Sequence, residues 1–289
     1  MAESLIEIKR RISTIQSTAK ITNAMKLVAS VKFRKWKTFY DESIAYNDAM
    51  HDVVVRTLQS IPESRYMEQS CLKRHESEKT LYIVVTSTLG LCGSYNYNVY
   101  RTFDPIVKPE DDIIVIGQKG YVHYKDFGNR IIDNYVSLLD NFSFDNVRKF
   151  RHYIVRLYGE QRYKSVTLVY TKFKNSIAFI PTVRQLLPFD LSEYHLDENV
   201  PAYEPEFDPS PEEVLDLILP HYLDASLYNK LLETSISEFS SRRNAMESAT
   251  DSANKLIDEL QLTYNKKRQE AITLEITEII AGSKATKQN

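Results

Sequence analysis

The chain has 289 residues, enough for one large or two modest domains, and its formal net charge is −2 at pH 7. This near-neutral balance gives no global electrostatic reason to expect nucleic acid or an anionic membrane as a partner. Two cysteines, Cys71 and Cys92, are too few for a disulfide framework and fit a reducing compartment. No apolar run approaches the roughly 18–20 residues that span a bilayer, and no signal pattern precedes the first helix. We therefore expect a cytoplasmic protein that reaches any membrane only through partners.

The positions of glycine and proline divide the chain into three parts. Six of the 7 glycines lie between Gly90 and Gly159, and all 10 prolines lie between Pro62 and Pro220. Both residue types interrupt helices, so their absence from about 60 residues at each end predicts two long helices. We predict an N-terminal coiled-coil helix over 1–61, a central α/β domain with an acidic connecting segment over 62–208, and a C-terminal coiled-coil helix with an apolar tip over 209–289.

The first helix carries a heptad seam. Its apolar residues follow the spacing 3, 4, 3, 4 that packs one helix against another, and the pattern continues less cleanly further on; the positions are Leu5, Ile8, Ile12, Ile15 and Ala19, then Thr22, Met25 and Val28. Residues 1–40 also hold nine Lys or Arg against two acidic residues. A basic helix of this kind suits contact with acidic protein surfaces, although most charge runs are simply solvated.

Short apolar runs and helical segments alternate in the central part. This order predicts an α/β layer with a mostly parallel, Rossmann-like sheet. The predicted strands are 81–86, 113–116, 166–170 and 177–180, and the predicted helices are 119–127 and 145–161.

No chemistry-bearing motif stands out in this domain. There is no phosphate-binding P-loop, and the pairs Gly90/Gly93 and Gly117/Gly120 are much weaker than a dinucleotide fingerprint. Cys92 has no histidine and supporting acid marked out beside it, so a small buried thiol is favoured over a nucleophile. The histidines lack zinc-ligand spacing. We predict no catalytic residue, no metal site and no cofactor.

The last helix has a seam of its own and an unusual end. The seam residues are Phe239, Met246, Ala249, Ala253, Leu256 and Leu260. Beyond them, apolar residues fall on more than one helical face, at Ile272, Leu274, Ile276, Ile279 and Ile280. If the two terminal helices pair antiparallel, this tip outruns its partner and needs an apolar sleeve from another chain. The alternative is that both helices, tip included, line the core of one bundle; their length argues against it.

The sequence resembles the gamma subunits of ATP synthases along nearly its whole length. The runs 4–12 and 15–29 resemble the first helix of that family, and the runs 235–238, 244–253, 264–273 and 275–282 resemble its last helix more specifically. The middle adds Val85-Thr86-Ser87, Gly90-Leu91-Cys92-Gly93 and Gln185-Leu186-Leu187-Pro188.

The resemblance implies a non-catalytic rotor shaft. It implies an antiparallel coiled coil inside a ring of three alpha and three beta subunits (3:3:1), a tip turning in an apolar bearing, and an epsilon-type small stalk subunit. It places the protein in the cytoplasm, peripheral at the inner face of the cell membrane. The contact residues carried over from the family are Met25 and Lys26 on the first helix and Arg242, Arg268, Gln269, Thr273, Glu275 and Glu278 on the last.

Several positions depart from the family pattern. Thr88 and Leu89 replace an acidic and a basic residue, Ser94 replaces a glycine, and Arg243 replaces a methionine. These departures leave open a paralogous F1-like motor not coupled to proton transport. A free coiled-coil scaffold and an α/β enzyme with helical extensions are the alternatives of other classes, and co-purifying partners discriminate among them.

Overall fold

The computed structural model describes residues 4–62, 71–126, 130–189 and 206–286. The elements are α1 (Leu5–Gln59), β1 (Thr80–Val85), α2 (Tyr95–Phe103), β2 (Asp112–Ile116), α3 (Gln118–Tyr124), β3 (Arg130–Asn134), α4 (Phe144–Gly159), β4 (Ser165–Phe173), β5 (Phe179–Leu187) and α5 (Pro211–Thr286). The chain divides into two compact units, one of Ser30–Arg242 and one of Met1–Ala29 with Arg243–Asn289. We call them the α/β unit and the coiled-coil unit.

The α/β unit is organised by a sheet of strand order β3-β2-β1-β4-β5. Strands β1 to β4 pair in parallel, and β5 pairs antiparallel with β4. The predicted, mostly parallel sheet is therefore confirmed. Its central strands are buried on both faces, which is why β1 and β2 read as continuous apolar runs rather than alternating ones.

Helices cover both faces of this sheet. On one face, Val99 and Phe103 of α2 and Tyr124 of α3 pack over Val84 and Val115. The larger core on the other face joins α4 and the start of α5 to the end of α1; its members include Val54, Leu58, Ile83, Ile114, Val147, Phe150, Ile154, Leu168, Leu219, Leu223 and Leu227. In the same unit Trp36 of α1 packs edge-on against Phe142, with ring centroids 5.0 Å apart.

A tight turn after β2 depends on glycine. Gly117 has φ +98°, and a Cβ atom there would lie 2.3 Å from the carbonyl oxygen of Thr86. The close approach lets the Thr86 hydroxyl donate to the Ile116 carbonyl at 3.0 Å and accept from the Gly120 amide at 2.9 Å. The Gly117/Gly120 pair therefore serves strand-to-helix packing.

The coiled-coil unit pairs the start of α1 antiparallel with the later part of α5. The hydroxyls of Thr22 and Thr250 are 2.7 Å apart, and Lys26 Nζ lies 3.8 Å from Glu247 Oε1. Nearer the N-terminus of α1, Glu7 is within electrostatic reach of Lys267. Residue numbers increase along α1 where they decrease along the facing part of α5, so the two helices run antiparallel, as predicted.

In each seam, one predicted position differs by one residue from the position that the structure turns inward. Val28 is 58% exposed and Ala29 1%; Leu256 is 45% exposed, whereas Ile257 is half-buried. On α1 the inward positions keep the strict seven-residue repeat that the paired helices require, with Ile8 and Ala29 buried and Ile15 and Thr22 half-buried between them. On α5 the contact of Thr250 with Thr22 sets the phase, and Ile257 follows Thr250 by seven residues.

Other differences concern single elements. The predicted strand at 177–180 was placed too early, because Ile177 is exposed in the turn before β5 begins at Phe179. The strand β3 and the helix α2 were not predicted. α5 starts at Pro211 and contains Pro220. Its first turns therefore lie before the proline-free stretch on which the prediction of this helix was based.

Candidate functional site

The end of α5 has no partner helix among the described residues of the coiled-coil unit. Since α1 begins at Leu5 and Glu7 is within electrostatic reach of Lys267, the residues after about 270 extend past the paired region. The five apolar tip residues predicted from the sequence are between 47% and 70% exposed; they are Ile272, Leu274, Ile276, Ile279 and Ile280. We call Ile272–Ile280 the tip.

The predicted contact residues near the tip are also exposed. Arg268 and Gln269 lie on the turn just before it, and Thr273, Glu275 and Glu278 lie within it. The Thr273 hydroxyl donates to the Gln269 carbonyl at 2.8 Å, a bond internal to the helix. One end of the coiled-coil unit thus combines large aliphatic side chains with a cation, an amide and two carboxylates.

Met25 and Lys26 lie elsewhere in the same unit. Both are half-buried on α1, and Lys26 is near Glu247 across the seam. At 3.8 Å and with Glu247 about half exposed, this ion pair contributes little to stability.

Arg242 is placed differently from a surface contact residue. Its guanidinium is buried, with Nη1 2.7 Å from Glu238 Oε1, and Nη2 donates to the Leu89 carbonyl at 2.7 Å. Nε donates to the Gly90 carbonyl at 3.3 Å. In the free chain Arg242 fixes the turn at 89–90. The predicted contact with another chain stays a prediction that requires these bonds to rearrange.

The same turn encloses Cys92. Its thiol is buried and lies 3.6 Å from the Ser87 hydroxyl, and the Ser241 hydroxyl donates to the Cys92 carbonyl at 2.7 Å. Burial raises the pKa of the Cys92 thiol, which disfavours the reactive thiolate. The thiol is a packed side chain, as predicted. The hydrogen bonds from Arg242 to this turn were not predicted from the sequence. The one signal in the sequence is the spacing of four between Glu238 and Arg242, which is typical of an ion pair on a helix.

Within the described ranges, no group of three histidine, cysteine or carboxylate side chains is arranged to hold a metal ion. None of the described helices is both long and apolar enough to cross a membrane.

The paired helices, the exposed tip and the helix-covered sheet define a coiled-coil interaction protein with an α/β unit. The ATP synthase family model matches residues 4–286. The ATP synthase gamma chain of Malacoplasma penetrans (strain HF-2) is 39% identical over 290 residues, covering 97% of this chain and 99% of the relative. That of Mycoplasmopsis synoviae (strain 53) is 36% identical over 287 residues, covering 98% and 99%. The chain belongs to the ATP synthase gamma chain family.

Solved structures show the same fold. A chain of the Euglena gracilis mitochondrial ATP synthase, in its OSCP/F1/c-ring structure, superposes with a TM-score of 0.65 at 19% identity, covering 98% of this chain and 94% of that one. A chain of the Tetrahymena thermophila central stalk/c-ring structure has a TM-score of 0.57 at 24% identity, covering 79% and 99%.

Proposed function

We propose that this chain is the rotor shaft of an F1-type rotary ATPase, and that it couples its own rotation to the nucleotide states of a surrounding ring. The observation that carries the proposal is the exposed apolar tip beyond the paired helices. Burying such side chains is worth roughly 1.5–3 kcal/mol each, so the tip has a strong drive to enter an apolar sleeve. In this proposal the sleeve is the ring of alpha and beta subunits, in the ratio 3:3:1, and membership of the gamma chain family supports this partner.

In this proposal the nucleotide chemistry belongs to the beta subunits and the shaft is non-catalytic. A coiled coil of two helices presents different side chains around its circumference, so three ring subunits meet three different surfaces. Each conformation of a ring subunit is stabilised by the shaft face that it contacts best, and rotation therefore shifts the three sites through different states. The exposed basic residues of α1, among them Lys9, Arg10 and Lys20, suit acidic segments of the ring.

Apart from the buried Arg242, the contact residues form three groups. Met25 and Lys26, on the paired helices, would meet acidic lever segments of the beta subunits. Arg268 and Gln269, exposed before the tip, would hydrogen-bond a loop of one beta subunit, with about 1.5–3 kcal/mol for the charged donor. Thr273, Glu275 and Glu278 would supply polar contacts at the bearing.

The experiment is reconstitution of the shaft with its alpha and beta subunits. The double variant Arg268→Ala with Gln269→Ala should lower the ATPase turnover of the purified complex. A matched control, Gln261→Ala with Lys266→Ala, removes one amide and one cation from exposed positions outside the predicted contacts and should leave turnover unchanged. Equal turnover and equal assembly of the two double variants would refute the assigned contacts.

Co-purification tests the class of protein. A rotor should bring down two P-loop proteins in threefold excess, together with an epsilon-type small subunit. A free scaffold would bring down other proteins. If a membrane sector co-purifies, the chain is peripheral at the inner face of the cell membrane. If no membrane sector ever co-purifies, the result favours an F1-like motor that is not coupled to proton transport.

The isolated chain should not bind ATP tightly. Its sequence lacks a P-loop, and phosphoryl transfer needs a cradle of backbone amides with a positioned metal and base. Calorimetry of the free chain with Mg-ATP should show no binding in the micromolar range. Micromolar binding would contradict the assignment of all nucleotide chemistry to the ring.

A further inference from the structure

The part of α5 that runs from 234 to 241 lies inside the α/β unit but carries mostly small polar side chains. Its threonine and its four serines are all at most 7% exposed: Thr234, Ser235, Ser237, Ser240 and Ser241. A helix that packs on a sheet usually presents large apolar side chains, and Ile236 is the one aliphatic residue of this stretch. Short side chains let the helix backbone lie close to its neighbours, within reach of their amide and carbonyl groups.

Two of these hydroxyls bind the backbone of β4 beyond its pairing with β1. The register of β1 with β4 ends at Val169, and the residue of β5 opposite Thr171 is Pro181, which has no amide hydrogen to donate. The Thr171 amide donates to the Thr234 hydroxyl at 3.4 Å, and the Thr171 carbonyl accepts from the Ser237 hydroxyl at 3.4 Å. Both bonds are long, yet together they hold the two backbone groups of one strand residue.

The next turn of α5 binds two other segments. The Ser240 hydroxyl donates to the Ser176 carbonyl at 3.1 Å, in the turn between β4 and β5. The Ser241 hydroxyl donates to the Cys92 carbonyl at 2.7 Å, and Arg242 donates to carbonyls of the same turn. Side-chain hydrogen bonds therefore reach from α5 to one strand and to two turns. We call the four hydroxyl residues that make them the hydroxyl anchor: Thr234, Ser237, Ser240 and Ser241.

Hydrogen bonds hold a helix differently from apolar packing. Burial of apolar surface has no preferred direction, so a helix held by it alone turns about its own axis at a lower cost. A hydrogen bond, in contrast, weakens steeply when its angle departs from linearity. Bonds to three segments around α5 therefore resist rotation of this helix within the α/β unit.

The hydroxyl anchor ends where α5 leaves the α/β unit. That unit extends to Arg242, and the same helix continues from Arg243 into the coiled-coil unit. The other segment that passes from one unit to the other is α1, at Ala29 and Ser30. Torque that is carried along the chain from one unit to the other passes through these two helices.

We propose that the hydroxyl anchor is a positioning element that holds α5 against rotation about its own axis, so that torque on the shaft turns the α/β unit with it. This inference rests on the rotor function proposed above and adds the residues that make the transmission stiff. The four hydroxyls act only through α5. They should affect how closely the α/β unit follows the shaft, and not the rate at which the ring hydrolyses ATP.

The test is a rotation assay on the complex of the chain with its alpha and beta subunits. The ring is fixed to a surface, and a bead is attached to a cysteine introduced at Val122, which is 51% exposed on α3, whereas Cys71 and Cys92 are buried. In a complex that is stalled without ATP, the variance of the bead angle is inversely proportional to the torsional stiffness. Ser237→Ala with Ser241→Ala removes two directional bonds and should raise this variance at least about twofold. ATPase turnover of the complex without a bead should stay unchanged.

Ser235→Ala is the matched control. Ser235 is 2% exposed on the same helix, but its hydroxyl donates to the Leu231 carbonyl at 3.0 Å, within α5 itself. Its loss should leave the variance of the bead angle unchanged. The melting temperature of each free chain is measured as well, to separate stiffness from stability. If the double variant does not assemble, the single variant Ser241→Ala is compared with the control in the same way.

The possible failures are distinguishable. Equal variances for the anchor variant and the control, in an assay where the natural chain turns the bead, would overturn the anchor and leave the rotor function in place. A lower melting temperature with an unchanged variance would overturn it too, because the hydroxyls would then contribute only to stability. A natural complex that hydrolyses ATP without turning the bead would overturn the rotor function and the anchor with it.

Discussion

Arg151 and Asp224 form a two-point ion pair in the interior of the α/β unit. Arg151 Nε donates to Asp224 Oδ1 at 2.7 Å and Nη2 donates to Oδ2 at 2.9 Å, with the side chains only 7% and 1% exposed. The pair joins α4 to the first part of α5, next to the large apolar core. Neither charge has access to water, so each depends on the other for its solvation.

Removal of one partner should therefore be severe. Asp224→Ala leaves a buried guanidinium without its counterion and should lower the free energy of unfolding by about 3–5 kcal/mol. The exposed pair Arg162–Glu160, at 3.2 Å, is the control, and Arg162→Ala should cost about 1 kcal/mol or less. Urea unfolding monitored by circular dichroism compares the two. Similar losses of unfolding free energy in the two variants would show that the buried ion pair contributes no more to stability than the exposed one.

The turn at Gly117 gives a second prediction. Gly117→Ala places a methyl group 2.3 Å from the Thr86 carbonyl oxygen and also strains the backbone at φ +98°, so the loss of stability should be at least about 2–3 kcal/mol. Gly159→Ala, in contrast, puts its methyl group where no atom lies within 4 Å and should be neutral or stabilising by up to about 1 kcal/mol. Thermal denaturation of the two variants measures the difference. Equal melting temperatures would contradict the close approach.

Two isoleucines near the start of α1 test the seam. Ile8 is completely buried and Ile6 is 81% exposed, two residues apart on the same helix. Ile8→Ala should cost about 2–5 kcal/mol in the local pairing, while Ile6→Ala should stay within about 0.5 kcal/mol. Amide hydrogen exchange of residues 5–15 reports on this local opening. Faster exchange in the Ile6 variant than in the Ile8 variant would mean that the seam has another phase.

The cysteines should resist modification in the folded chain. Cys71 and Cys92 are both buried, and the raised pKa of Cys92 keeps it a thiol at neutral pH, since each unit of pKa lowers the thiolate fraction tenfold. At pH 8 a thiol reagent should react with the native chain at least about tenfold more slowly than with the chain in denaturant. The rate for Cys92 should increase as the pH rises. Fast native labelling of Cys92 would show that the Gly90 turn opens readily.

The tip offers a fifth prediction. Ile276→Asp with Ile279→Asp should raise the solubility of the free chain, because exposed aliphatic side chains favour aggregation. The same change should weaken assembly with the ring, since a carboxylate inside an apolar sleeve has no compensating partner. Truncation after Glu270 should harm assembly less. The sizes of the assembled complexes on gel filtration compare them, and intact assembly of the double Asp variant would exclude a tight apolar sleeve.

The fold could be predicted for those elements whose sequence carries one strong signal, such as a continuous apolar run or a long stretch without glycine and proline. The runs at β1 and β2 are apolar because both faces of a parallel strand are buried, and the terminal helices lack glycine and proline. The strand β3 depends on pairing with β2 across a register irregularity between Ile113 and Ile114, for which a short sequence holds no sign. The phase of the seam was missed because Ala249 and Thr250 are both small, and the contact of Thr250 with Thr22 decides between them.

The site was predictable only in part. Exposure of the tip follows from helix lengths and apolar periodicity, both of which are linear properties of the sequence. The surroundings of Arg242 could not be predicted in this way, because its acceptors, the carbonyls of Leu89 and Gly90, lie about 150 positions earlier in the chain.

The packing of Trp36 on Phe142 gives the protein a natural reporter. Trp36 is the single tryptophan of the sequence, and the coiled-coil unit contains one aromatic residue, Tyr264. Emission excited at the indole band therefore reads out the α/β unit alone, without any added label. Separation of the two helices within the coiled-coil unit would therefore leave the tryptophan emission unchanged, whereas loss of packing around Trp36 would alter it.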